Sequence, residues 1–297
     1  MHTIFIAYLV YMIALIAWCI HKYERGPLLV HLKYQALFLG AFLMLLPFYW
    51  MLITSLKDAQ EALEYPPRWW PSKPQWQNYA EAWHKPEVGF ARYYWVSIYT
   101  NVLATVGTLF TSILAAYAFA KMRFFGKNLL FYMVLATLMV PGQVLIIPDY
   151  IILARLQWLD TYKALIVPWL ASVFSIFLVR QFFMTLPDDL WDAAQIDGAG
   201  RWMFLWRVMV PLSTPVLITS AIFNFITQWN SLLWPLVVTS SPEMRTLMVG
   251  LQVFNNDSGS DFHLLMAASA FCVLPVVFAF FLVQRFFIEG IARSGLK

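Results

Sequence analysis

Seven stretches of this chain are long apolar runs with almost no charge, at roughly residues 3–20, 35–55, 95–119, 129–152, 164–184, 213–238 and 264–287. An α-helix rises about 1.5 Å per residue, so about 20 such residues cross the hydrocarbon layer of a bilayer. Backbone surrounded by lipid must satisfy its own N–H and C=O groups, which makes each run a helix rather than an open strand. The expected fold is therefore all-α and polytopic. Composition leaves no soluble alternative: 61% of residues are hydrophobic and only 12% are charged, against about a quarter charged in water-soluble domains.

The first run is short and follows Met1-His2 without the basic segment of a signal peptide. It reads as an extra, uncleaved membrane helix, so that residues 1–34 form that helix with a cytoplasmic connection. Residues 35–297 form the main transmembrane unit. Alternate connections carry twelve and eight of the Lys and Arg residues, the twelve including Lys121, Arg123, Lys127, Arg180 and Arg207. Basic residues accumulate on the cytoplasmic side, which places the C-terminus in the cytoplasm of an inner-membrane protein. The net charge of +4 is explained the same way. With no basic run and no aromatic RNA-binding signature, nucleic acid is not an expected partner. Cys19 and Cys272 both fall within apolar runs, where they read as inert rather than as a disulfide or metal pair.

Two polar segments are too long for simple turns. Residues 57–94, containing Pro66-Pro67-Arg68-Trp69-Trp70-Pro71, read as a compact outside cap with tryptophans at headgroup depth. Residues 185–211 lie on the cytoplasmic side and are the more informative. Pro187 suits a first helical turn, and Asp188 and Asp189 complement the positive helix end. Ala193 and Ala194 leave a smooth surface, and Asp197-Gly198 stops the helix, glycine being free to take positive φ. A second short helix is predicted at about 201–208, ended by Pro211. By pattern alone this helix–turn–helix is either an interfacial hairpin or a docking element for a cytoplasmic partner.

The run Asp192-Ala193-Ala194, three residues, Gly198, nine residues, Val208-Met209-Val210-Pro211 resembles the EAA loop of binding-protein-dependent ABC importer permeases. Asp stands for the family's Glu, and Val for its Ile and Leu, with the spacing kept. Asp197-Gly198-Ala199 and Pro215 are similar to the carbohydrate-importer branch, of the second, maltose-permease type. The likeness extends over residues 35–297, through Pro47-Phe48-Tyr49-Trp50 and Trp229-Asn230-Ser231-Leu232-Leu233-Trp234-Pro235. It implies a six-helix type I permease core plus the extra N-terminal helix. It also implies a homologous companion permease, two ABC ATPase subunits and an extracytoplasmic solute-binding protein. ATP and Mg would sit on the ATPase subunits. The coupling loop would comprise Asp192, Ala193, Ala194, Asp197, Gly198, Ala199 and Pro211.

No phosphate-binding Gly-x-x-x-x-Gly-Lys-Ser/Thr motif occurs: Lys121 stands where its first Gly should be, and Asn128 follows Gly126-Lys127. No cofactor, metal site or catalytic constellation is expected in this chain, and it is not read as an enzyme. Polar residues at membrane depth, namely Asn224, Gln228, Asn230, Asn101 and Gln143 with Trp229 and Trp234 beside them, are candidates for solute contact or for interhelical hydrogen bonding. Pro141 and Pro148 are expected to kink their helix. A glycerol-phosphate importer would share these features. An ion-coupled carrier, the rival from another class, needs ionisable groups buried mid-span, which are nearly absent here.

Overall fold

The computed structural model describes residues 25–85, 89–254 and 261–294. The proposed helix 3–20 and Cys19 lie outside the described residues. The first described helix, α1 (Arg25–Ser55), begins inside the stretch expected to be a connection and runs unbroken into the first long span. Its side chains stay largely uncovered, with Tyr34, Phe38, Phe42 and Met44 all exposed, as a lipid-facing helix requires.

Between α1 and the next span the chain closes on itself. Asp58 caps α2 (Ala59–Leu63) by accepting the Glu61 N–H at 2.7 Å. Lys57 is 1% exposed; its ammonium donates to the Arg68 carbonyl at 2.6 Å and lies 4.5 Å from the centre of the Trp50 ring. Burial holds the Lys57 pKa below the ordinary lysine value, outweighing the nearby Glu61 and Glu64. Asn78, on α3 (Gln77–His84), donates to the carbonyls of Ser55 and Lys57 at 2.8 and 2.7 Å and so ties the cap to the end of α1.

The centre of the molecule is α4 (Phe90–Lys121). Among its buried positions, Ser97, Thr100, Ala104, Thr108, Ser112 and Ala116 recur three or four residues apart and are small or hydroxylated. Such a seam lets neighbouring backbones approach. Gly107 shows how closely: a Cβ there would stand 2.3 Å from the Leu170 side chain. Thr108 and Thr111 donate across the seam to the carbonyls of Trp169 and Leu170.

The run 129–152 is not one straight span. α5 (Lys127–Ala136), extended by a 3₁₀ turn to Met139, meets α6 (Gly142–Arg155) at 100°. Pro141 makes the break, with Val140 before it forced out of the helical region (φ −84°, ψ 117°). Pro148 lies inside α6 without interrupting it. The next span joins α7 (Tyr162–Ile166) through a 3₁₀ turn to α8 (Val173–Thr185). Then come α9 (Asp189–Ile196), α10 (Arg201–Phe204), a π turn over Leu205–Met209 and α11 (Val210–Leu212). This last assembly turns by 79° into α12 (Thr214–Trp229). Residues 230–232 interrupt the expected span 213–238 before α13 (Leu233–Val238). Short α14 (Leu247–Leu251) precedes the final long helix, α15 (Phe262–Ser294).

Among the described residues, four helices are long and apolar enough to cross a membrane, or six when each bent pair counts as one span. Packing places α4 along α8 and α12, and α15 against α1, α3 and α12. Near the cap, Asp160 takes a left-handed φ of 57° and accepts the N–H groups of Ser240 and Ser241 at 2.9 and 3.0 Å. Desolvation pushes its carboxyl pKa up, but these hydrogen bonds outweigh it and hold the group below the ordinary value of 3.8.

Candidate functional site

The loop between α8 and α12 is built around one turn. Ala199 N–H bonds the Ala194 carbonyl at 2.8 Å and Gly198 N–H bonds the Gln195 carbonyl at 3.0 Å, the paired bonds of a Schellman stop. That stop needs a left-handed residue between the helices, and Gly198 has φ +76°. Beyond its missing side chain lies open space, with no atom within 4 Å of an ideal Cβ.

One face of the loop is anchored. Ala194, Phe204, Leu205 and Met209 bury themselves against Ile113, Tyr117, Val179, Phe183 and Leu217 from α4, α8 and α12. Trp191 stands edge-on to Phe204 with ring centres 5.1 Å apart. Lys121, at the end of α4, donates to the Leu186 carbonyl at 2.7 Å and pairs with Asp188 at 2.6 Å. The hydrogen bond and charge of Lys121 hold the Asp188 pKa below the ordinary carboxylate value.

The opposite face is bare. Asp192, Ala193 and Asp197 are exposed, Ile196 is 88% exposed and Trp202 63%. Ala199 is half-buried. Pro211 does not end the second helix, as the sequence suggested. Pro211 has no N–H to bond the Arg207 carbonyl, and the chain passes into α11 through the π turn instead.

Of the seven proposed pathway residues, the fold brings four to one place. Asn101, Gln228, Trp229 and Trp234 line a cavity of about 30 Å³ together with Ser97, Thr100, Ser231 and Thr246. Asn101 Nδ2 donates to the Phe225 carbonyl at 3.1 Å, joining α4 to α12. Trp229 Nε1 donates to the Cys272 carbonyl and Trp234 Nε1 to the Ala164 carbonyl, each at 3.0 Å. Thr246 leaves its buried hydroxyl unpartnered at the wall. The other three lie elsewhere. Asn224 Nδ2 bonds Ser175 Oγ at 2.7 Å, linking α12 to α8, and Asn230, just past the end of α12, bonds back to the Ile226 carbonyl. Gln143 is exposed beside the Pro141 break.

A cavity of this size admits about one water, whereas small-molecule sites usually occupy about 300–1,000 Å³. Among the described residues, no group of three or more His, Cys, Asp or Glu side chains could hold a metal ion.

The region that contains this loop matches a known family. The family model described as "Binding-protein-dependent transport system inner membrane component" matches residues 107–293. The chain belongs to this family. It is a non-enzymatic, multi-pass component of the inner membrane.

Relatives of this inner membrane component include the sn-glycerol-3-phosphate transport system permease protein UgpE of Yersinia enterocolitica, 36% identical over 87% of this chain and 94% of the relative. The arabinooligosaccharides transport system permease protein AraQ of Bacillus subtilis is 33% identical over 86% of this chain and 91% of the relative. The solved structure of a bacterial ABC transporter involved in the import of the acidic polysaccharide alginate shares the fold. It has a TM-score of 0.78 and 22% identity, and the match covers 89% of this chain and 99% of that one.

Sequence reasoning did not single out Lys121 as an anchor for the loop, nor Ser97, Thr100 and Thr246 as cavity walls. The small and hydroxylated positions of α4, spaced by three and four residues, were the available signal for the cavity. Nothing local signalled the contact between Lys121 and Asp188, which are 67 residues apart.

Proposed function

We propose that this permease forms half of the translocation pathway of an ATP-driven importer for a carbohydrate, and couples to the ATPase through the loop 185–211. The observation that carries the coupling role is the bare face around Gly198, held rigid by the buried face behind it. A loop anchored on three spans transmits a push to all three. An ATPase subunit gripping Ala193, Gly198 and their neighbours would tilt α8, α4 and α12 together. ATP, with its Mg, would be held and hydrolysed by that partner, and the cycle would follow from its different affinity for the two arrangements.

The pathway itself requires a second, companion permease, because the polar cavity inside this chain has the volume of about one water. An extracytoplasmic binding protein would deliver the solute on the cap side, leaving the C-terminus in the cytoplasm. AraQ-type relatives support a carbohydrate. The alternative solute is a glycerol phosphate, favoured by the 36% identity to UgpE.

Affinity purification of the tagged chain in mild detergent tests the assignment. A second permease and a Walker-motif ATPase should accompany it, and ATP hydrolysis should rise with an oligosaccharide and its binding protein. Stimulation by glycerol phosphate alone would move the solute assignment, and a chain that purifies alone would end the coupling assignment.

A further inference from the structure

The turn between α4 and α5 carries a basic cluster that the coupling loop does not account for. Lys127 Nζ donates to the carbonyls of Ala120 and Met122 at 3.1 and 3.0 Å. Arg180 Nε donates to the Phe119 carbonyl at 3.1 Å, with its guanidinium 3.9 Å from the centre of the Phe131 ring. With Lys121, these cations meet the carbonyl end of α4, where helix polarity favours positive charge. One ion pair in the group, Lys121 with the exposed Asp188, offsets part of that charge.

Arg123 is exposed beside them, next to Phe124 at 41% and Phe125 at 102% exposure. An open groove of about 400 Å³ runs along Met122–Leu129. Its far end continues into an uncovered apolar strip on α5: Leu129, Leu130, Tyr132 and Met133.

We propose that this groove binds the headgroup of an anionic phospholipid, with its phosphate against Arg123 and Lys127 and an acyl chain along the α5 strip. An ammonium has three donors, so Lys127 keeps one after bonding its two carbonyls. Charge at one end and an apolar strip of a spanning helix at the other match an amphiphile lying at the bilayer boundary. A free anion would leave the apolar strip uncovered. A water-side protein would leave the strip unmatched.

The purified permease, with the subunits that accompany it, should be equilibrated in mixed micelles of phosphatidylglycerol or phosphatidylcholine of identical chains. Retained lipid is then counted by native mass spectrometry. Phosphatidylglycerol should be retained in preference, and Arg123→Gln should reduce its retention about fivefold. Arg155→Gln, at an exposed basic residue on the far end of α6, should leave retention unchanged. Leu129→Ser, which keeps the charge, should weaken retention of phosphatidylglycerol by removing an apolar contact where the groove meets the strip. Equal retention of the two lipids, or equal loss in Arg123→Gln and Arg155→Gln, overturns the proposal. So does displacement of the lipid by excess inorganic phosphate, which marks a simple anion site. Lipid bound only after the ATPase subunit is stripped away assigns the groove to that subunit instead.

Discussion

The cap and the coupling loop are both polar excursions between spans, yet they are finished in opposite ways. The cap satisfies its polar groups internally: Lys57 and Asn78 are buried and bonded, and Glu61 accepts both the N–H and the hydroxyl of Ser72, at 2.9 and 3.0 Å. The loop instead buries apolar side chains behind itself and leaves Ile196 and Trp202 in the open. Both expose large apolar side chains, the cap at Tyr65, Trp70 and Trp76. What separates them is that the cap is tied together by buried polar groups and the loop by an apolar seam against three spans.

The contrast can be broken most directly at Gly198. Gly198→Val places a β-branched residue at φ +76°, a strain of about 1–2 kcal/mol, and puts a side chain into the bare face. We expect at least a tenfold drop in uptake and in recovery of the ATPase, with the purified chain still folded. Asparagine tolerates the left-handed region, so Gly198→Asn should keep most of both. If it loses as much as valine, the open space rather than the turn is what the partner requires.

A second test lies in the cap. Lys57→Ala leaves the Arg68 carbonyl unpaired and opens a void under Trp50, a loss of about 2–3 kcal/mol. Thermal unfolding in detergent should shift down while ATPase recovery stays the same. A loss of ATPase would mean that the two regions are not independent.

The smallest expected effect concerns pH at Asp160. Its folded pKa is depressed, so the ionised form stabilises the fold above the ordinary carboxylate range, and that contribution is lost as pH falls through the folded value. Wild type should be more stable than Asp160→Asn near neutrality. The difference should narrow below about pH 4, as read from unfolding curves across that range.

Local chemistry made much of this legible from sequence. Apolar runs marked where the described spans lie, though two of them are broken in the fold, and the need for positive φ at Gly198 marked the end of α9 because that requirement is met or missed within four residues. Proline was harder to read. Pro141 breaks its span by 100° while Pro148, seven residues on, sits within a continuous helix. The residue type is the same and both positions are exposed, so residue type alone does not tell the two outcomes apart. The meeting of Asn101 with Gln228, Trp229 and Trp234 joins distant helices, which no spacing along the chain encodes. The assignment of Asn224 as a solute contact gains no support, since its amide bonds Ser175 across the α8–α12 contact, the interhelical role that was its alternative.

The π turn at Leu205–Met209 has a consequence for phase. A π turn holds one residue more than an α turn, and in an α-helix each residue advances the phase by about 100°. Were that surplus residue absorbed into regular α-helix, Trp202 and the turn at Gly198 would swing by about that angle relative to α12. The segment thus stores rotation about the helix axis as well as length. Deleting one residue within it would let regular α-helix form with the bare face still in its present phase against the spans, whereas keeping that residue and regularising the helix would re-index the face.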